Sequence, residues 1–392
     1  MVLESEFPPD ERVEKEIESL QEIGFQVSVA VYTFMSKPEL ELFNGYEIHR
    51  KKISRLLYKS SAAILVIPFY FRFWFKYLNA ILKKEQFDIL HIHDLPLAKV
   101  GCRLSRKYNL KLVCDQHEYY SNWIVRTRHY NTLAGKIIRL LSNWKRYERK
   151  YLQKADMVIT VENSLREIYI DRVQISPSKV ISLPNTPRKQ VFNAGNIDQE
   201  IIDKYKDCFV LFYGGSLDHI RGIDFIAECI ARLKDEIANI LFLVAGKENR
   251  AFSMSKLISG LQIENFVEHV GWVPLGKLPS YVAASKICLF VPRADNLEIN
   301  NTIATKIYQY AAMGKPVIVS EARMMKEFVE NNAIGYSIRY GDVNGFCDIV
   351  RNMRNHPEVL DEIRDRAIRV ACDYTWENTS RDFIDYYTGM KA

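Results

Sequence analysis

The sequence predicts an α/β protein of two doubly wound parallel sheets. Three observations predict it. In both halves, short apolar runs of strand character alternate with helical stretches, an order that builds parallel sheets with helices on both faces. The length, 392 residues, suits two or three domains at about 150 residues each. One segment, Asn301 to Val319, spells out a complete helix-to-strand unit.

In the first half, Gln26–Tyr32, Phe87–His93, Leu110–Asp115 and Met157–Val161 read as strands, and Arg12–Ile23 and Leu97–Tyr108 as helices. In the second half, Phe209–Tyr213, Ile240–Ala245, Phe266–Val270, Ile287–Val291 and Pro316–Val319 are strands, separated by helices such as Ile223–Leu233 and Leu278–Ala284. Ser182–Pro187 is polar and punctuated by proline, and reads as a linker. Two Rossmann-like domains follow, 1–186 and 187–374. Ligands of open α/β sheets bind beyond the carboxyl ends of the strands, so two such domains facing each other would frame a cleft.

Within Asn301–Val319, Asn301 and Thr302 can cap a helix start. Ile303, Ile307 and Tyr310 recur at helical spacing. Gly314 suits the left-handed position after the helix, and Pro316 cannot continue it. Val317–Val319 is a short buried strand. The helix start offers free N–H groups and a positive dipole end, with Lys306 in the first turns, a device that holds phosphate. An ordinary αβ unit with a solvated lysine would look the same in isolation.

Other strand ends carry polar residues. Gly214–Gly215 follows a strand and leads to Arg221 and Gly222 at a helix start. The glycines admit a ligand close to the backbone, and Arg221 can fork onto phosphate oxygens. His93–Asp94 and His117–Glu118 end two neighbouring strands and could act as acid, base or hydroxyl binders. His91 and His93 share a face, but no third ligand stands at metal-type spacing, so no metal is expected. Seven scattered cysteines without a CxxC argue for a reducing compartment and against a disulfide framework. The first residues have no basic start and no long apolar run, so no secretory signal is expected.

Taken in order, these residues resemble family 4 glycosyltransferases, which have the two-domain GT-B fold. The resemblance covers nearly the whole chain. Its carriers are the Phe7–Glu16 loop-to-helix entry, the His-Asp strand end of Phe87–Asp94, Asp115–Glu118, Ala155–Val161, Tyr213–Gly222, Val270–Val273, and Tyr374–Glu377 with its helix. The family's final helix crosses back to the N-terminal domain, here 375–392. The resemblance implies retaining transfer of a sugar from a nucleotide-diphosphate sugar, the donor substrate, to a hydroxyl acceptor. It implies no metal and no further cofactor. Arg221 and Lys306 would stabilise the departing diphosphate. Gly214, Gly215, Gly271, Trp272, Val273, Asn301, Thr302, Ile303 and Gln309 would contact the donor. His117 and Asp94 would orient sugar and acceptor, with Arg12, His93 and Glu118 on the acceptor side.

The chain departs from the family pattern at two places. The donor loop of the family has two glutamates eight positions apart, where this sequence has Asn301 and Gln309. Gln309 still offers one acceptor to ribose hydroxyls. Asn301 brings no charge, and Glu298 stands close by as a substitute. Ala304 takes the place of a proline found in a variant of the pattern. At the start, only Met1–Leu3 precede the Glu4–Pro9 turn, so the first strand is either very short or begins upstream.

Charge points to a partner. Residues 51–150 hold 21 Lys and Arg against 6 Asp and Glu, a net of +15, whereas the whole chain is +6. Aromatics interleave with these cations at Ile67–Leu78 and Trp123–Lys154, a pattern suited to an anionic membrane surface. Ser61–Leu82 is apolar and long, but Arg72, Lys76 and Pro68 argue against a transmembrane span and for an interfacial or packed helix. No groove-reading or RNA-binding pattern is present, so nucleic acid is not expected. The expected setting is cytoplasmic, peripheral on the inner face of the cell membrane, with a lipid-linked or polysaccharide acceptor. Two further classes use the same residues: a GT-B scaffold that binds nucleotide sugar or membrane without turnover, and an epimerase that needs no acceptor.

Overall fold

The computed structural model describes residues 1–124, 135–138, 143–249, 251–295 and 297–390. The chain divides into two units, Met1–Pro184 with Ser380–Ala392, and Asn185–Thr379.

In unit 1, Asp10 caps α1 (Glu11–Glu22) by accepting from the N–H groups of Arg12 and Val13. β1 (Ser28–Thr33) pairs in parallel with β3 (Tyr46–Lys52), and β2 (Leu40–Phe43) pairs antiparallel with β3. The β2–β3 hairpin departs from the all-parallel expectation. Its two-residue turn is Asn44–Gly45, with φ of 46° and 81°, the type I′ geometry that this dipeptide favours. After α2 (Phe69–Leu82) come β4 (Ile89–His93), α3 (Ala98–Tyr108), β5 (Lys111–Gln116), α4 (Trp144–Leu152), β6 (Met157–Thr160) and β7 (Val180–Ser182). β4 to β7 form one parallel sheet in chain order.

Val2 stands where the first strand is expected. It bridges Ala30 of β1 and Ile92 of β4, donating to His91 O at 2.8 Å and accepting from His93 N at 3.0 Å. A single residue thus joins the two sheets of unit 1. The apolar stretch 61–82 is interrupted at Pro68, and α2 packs Tyr70, Phe71, Trp74 and Leu78 into the core. Among the described residues no helix is long and apolar enough to cross a membrane.

Unit 2 has one parallel sheet of six strands: β8 (Phe209–Gly214), β9 (Ile240–Ala245), β10 (Val267–Gly271), β11 (Ile287–Phe290), β12 (Val317–Ser320) and β13 (Gly335–Ile338). The order across the sheet is β10-β9-β8-β11-β12-β13. It reverses between β8 and β11, and such a reversal opens a crevice at the strands' carboxyl ends. The central strands β8, β11 and β12 are buried throughout, as parallel strands covered on both faces require, whereas the edge strands β10 and β13 are largely half-buried. Helices α5 (Ile223–Leu233) and α6 (Thr305–Ala312) flank the reversal; α7 (Val343–Asn355) and α8 (Pro357–Asp373) complete the unit. α6 stops as expected: Gly314 has φ 66°, and Lys315 N–H reaches back to Tyr310 O at 3.0 Å. Trp376 is buried and donates from its N–H to Pro187 O within unit 2. The chain then returns to unit 1, where α9 (Arg381–Gly389) lies against α1 and β7.

Candidate active site

The strand reversal of unit 2 gathers the expected phosphate-binding residues. β8 ends at Gly214, whose N–H donates to Tyr310 OH at 3.0 Å. Gly215 follows with φ 142° and donates to Ala245 O at 2.8 Å. Its missing side chain matters, because a Cβ there would lie 2.5 Å from Lys306 Nζ. The Lys306 ammonium sits 4.2 Å from the ring centre of Tyr213 on β8 and 4.4 Å from that of Phe290 on β11. Two aromatic faces thus hold the cation at the reversal. Among the described residues it has no hydrogen-bond or carboxylate partner. Burial pushes its pKa well down, the Arg221 charge pushes it further, and Asp218 opposes both.

Arg221 closes a short helical turn that Asp218 caps, accepting from the N–H groups of Ile220 and Arg221. Its side chain is 46% exposed, and its Nε lies 3.8 Å from Asp218 Oδ2. The next residue, Gly222, has φ 80°, and a Cβ there would lie 1.9 Å from Val291 O. That close approach fixes the start of α5 on the end of β11.

The cap expected from Asn301 and Thr302 is a correction. α6 begins at Thr305 with Ala304 in the cap position, and no side chain bonds its first amides. Ile303 accordingly lies before the helix, not on it. Asn301 turns to its own loop instead: its amide donates to Leu297 O at 2.7 Å, and its oxygen accepts from Arg323. Thr302 and Ile303 are half-buried in the same loop. Ile307 N–H bonds Ala304 O at 2.8 Å, and among the described residues no side chain caps the N–H groups of Thr305 and Lys306. Gln309 is buried on α6, and its side-chain amide makes no hydrogen bond among the described residues. The side chain of Glu298 lies outside what the structure describes.

β10 ends at Gly271, with φ 73°, whose carbonyl accepts from Gly246 N at 2.7 Å. Trp272 is 61% exposed, with Lys247 Nζ 5.5 Å from its ring centre, and Val273 packs partly on the core. Gly246 itself escaped the sequence reading. Its φ is 155°, and a Cβ there would lie 1.7 Å from Gly215 O, so it lets two strand ends approach.

Unit 1 carries a separate polar cluster at the ends of β4 and β5. Asp94 holds the left-handed φ of 65°, a strained state for a residue with a Cβ. His117 Nε2 lies 3.2 Å from both Asp115 Oδ2 and His93 Nδ1, and His117 Nδ1 lies 3.8 Å from Asp94 Oδ1. Burial lowers the His117 pKa, yet Asp94 and Asp115 outweigh it and raise it to about 9. At neutral pH His117 is therefore a cation that donates, not a base. His117 and Asp94 are partly exposed, whereas His93 is buried. Glu118, just after β5, is half-buried.

Arg12, expected on the acceptor side, is buried. Its guanidinium donates to Asp115 at 3.1 Å and to Leu183 O at 2.7 Å, and lies 3.1 Å from Glu16 Oε1. It is a clamp that holds the cluster from behind. Glu16, His91, His93 and Asp115 bring potential ligand atoms within 4.8 Å of one another. The Arg12 guanidinium and the charged His117 both lie against these carboxylates. His91 stacks on His93 at 4.4 Å, and its Nδ1 lies 2.7 Å from the hydroxyl of Tyr387 on α9. Glu16 and Tyr387 escaped the sequence reading because they come from helices far away in the chain.

Two family models match the chain: "Glycosyltransferase Family 4" over residues 12–186 and "Glycosyl transferases group 1" over 196–370. The chain is 20% identical to the phosphatidylinositol N-acetylglucosaminyltransferase GPI3 subunit of Saccharomyces cerevisiae, covering 81% of this chain and 67% of that one. It is 21% identical to the UDP-Gal:alpha-D-GlcNAc-diphosphoundecaprenol alpha-1,3-galactosyltransferase of Escherichia coli, covering 69% of this chain and 67% of that one. In fold it is similar to sucrose-phosphate synthase of Thermosynechococcus elongatus, with a TM-score of 0.75 at 16% identity over 97% of this chain and 92% of that one.

Proposed function

The chain belongs to glycosyltransferase family 4 and has the GT-B fold, and on that premise we propose that it is a retaining enzyme using a nucleotide-diphosphate sugar. The acceptor is a hydroxyl on a lipid-linked saccharide or glycolipid. The named relatives support this class, since one transfers galactose to a diphosphoundecaprenol-linked sugar and another acts on phosphatidylinositol.

The difficult step is departure of the diphosphate. The bond from the anomeric carbon to the phosphate oxygen breaks, negative charge grows on that oxygen, and the sugar ring becomes cationic. Lys306, Arg221 and the open amides at the start of α6 stabilise the growing charge. The acceptor oxygen bonds to the anomeric carbon on the face the phosphate leaves, and its proton passes to the departing phosphate oxygen. On unit 1, His117, charged at neutral pH, is suited to donate to an oxygen of the acceptor, and Asp94 to accept from one of its hydroxyls.

One observation carries the reading. Lys306, without a carboxylate partner among the described residues, is held between two aromatic rings at the strand reversal with Arg221 close enough to act on its charge. A cation prepared in this way is suited to an incoming anion. The test is a melting-temperature screen against UDP-, GDP- and ADP-sugars, followed by transfer to lipid-linked acceptors. Stabilisation by one donor, then release of its diphosphate only with acceptor and a product of unchanged anomeric configuration, is expected. Donor turnover without any acceptor, or an inverted product, would contradict the reading.

A further inference from the structure

Unit 1 has a surface that the candidate site does not use. Leu56 is 81% exposed, Phe69 58%, Val66 41% and Ile67 37%. Single exposed apolar residues are ordinary, but these belong to one segment, and the short helix Arg55–Lys59 packs on α2. Directly after Phe69, α2 and α3 form a groove of about 520 Å³ lined by Phe71, Arg72, Phe75, Lys76, Lys99 and Arg103 among others. Among the described residues none of these four cations has an ion-pair partner. Lys99 and Arg103, four residues apart on α3, crowd each other instead. Lys99 Nζ lies 4.4 Å over the Phe71 ring, and its pKa is pushed down by burial and then by Arg103 and Lys150. Like charges gathered without counter-charge repel, and a negative surface relieves that cost.

We propose that this face docks unit 1 on an anionic phospholipid bilayer. Leu56, Val66, Ile67 and Phe69 enter the boundary between headgroups and acyl chains, and Arg72, Lys76, Lys99 and Arg103 meet lipid phosphates. The charge pattern commits the face to lipid. An apolar row beside four cations without counter-charge matches a surface that presents phosphates over an apolar interior, and a second copy of the chain would bring the same positive charge. This extends the reading of a lipid-linked acceptor and rests on it only for biological purpose, since docking is measured without turnover.

The experiment is co-sedimentation of the full chain with phosphatidylcholine vesicles, with and without phosphatidylglycerol. The wild type should pellet only with the anionic vesicles and detach as salt rises toward ~0.5 M. Arg72→Glu with Lys76→Glu and Arg103→Glu should weaken binding by about 100-fold or more. Phe69→Ser with Leu56→Ser should weaken it independently. All five positions are exposed, and unchanged melting temperatures verify that the variants fold; Arg72→Gln with Lys76→Gln serves as a milder pair. Wild-type-like binding by the charge variants, or a wild-type dimer that Phe69→Ser converts to monomer, would overturn the proposal. Loss of transfer to every acceptor with docking intact would sink the functional reading and leave this one standing.

Discussion

Lys306 gains its character from the ends of two strands that are far apart in the chain, β8 and β11. Gly215 makes room for it, and Tyr213 and Phe290 present ring faces where water would otherwise solvate it. Its pKa is depressed by burial and by Arg221, so an arriving diphosphate raises it again and draws a proton onto the amine. Titration calorimetry of the donor over a series of pH values should therefore show proton uptake where the free amine titrates, seen as a binding heat that changes with the ionisation enthalpy of the buffer. A heat independent of buffer would mean that Lys306 does not sense the ligand. Gln309 sits about one turn after the start of α6, buried and without a hydrogen-bond partner among the described residues. Gln309→Glu offers ribose hydroxyls two acceptor oxygens and a charge, and should tighten donor binding several-fold, on the order of 1 kcal/mol. Unchanged or weaker affinity would place the ribose elsewhere. Lys306, Arg221 and the glycine pair were legible in the sequence because a glycine turn and a helix start are local signals. The aromatic walls were not, because Tyr213 and Phe290 read only as strand residues until the sheet order sets them side by side.

Between elements, the polar seams of unit 1 trade stability for position. Glu148 on α4 is buried, accepting from Ser121 Oγ at 2.7 Å and Tyr169 OH at 3.4 Å. Burial pushes its pKa up to about 7 from the ordinary 4.5, against the pull of those hydroxyls. Between these values the unfolded chain has released the proton that the folded chain still holds, so stability falls as pH rises through this window. Glu148→Gln removes the penalty. Its folding stability should exceed the wild type's at pH 8 by an amount on the order of 2 kcal/mol, seen as a higher melting temperature, and match it near pH 4. A gain equal at both pH values would mean that packing, not ionisation, separates the two proteins. Element boundaries followed local chemistry where the signal was strong, as at Asp10 for α1 and Gly314 for α6. The start of α6 misled the reading, because Asn301 and Thr302 are good caps by type while Leu297 and Arg323 already engage Asn301. The β2–β3 hairpin carried its own Asn44–Gly45 signature, but its strands are too polar at Tyr46–Lys52 to stand out by hydropathy.

Across the whole chain, the alternation of strand and helix and the order of the strand-end motifs made the fold class legible, and both family models agree with it. The reversal in strand order between β8 and β11 was not legible, since parallel pairing leaves no local trace in sequence. Yet that reversal decides which strand ends share a crevice, and so which residues can act on one ligand. The account depends on Lys306 carrying the leaving diphosphate there. The most direct measurement is the single-turnover transfer rate of Lys306→Ala, taken with its donor affinity. The account predicts a rate at least ~100-fold below the wild type, with the melting temperature of the empty protein retained. A rate close to the wild type's at saturating donor would contradict it.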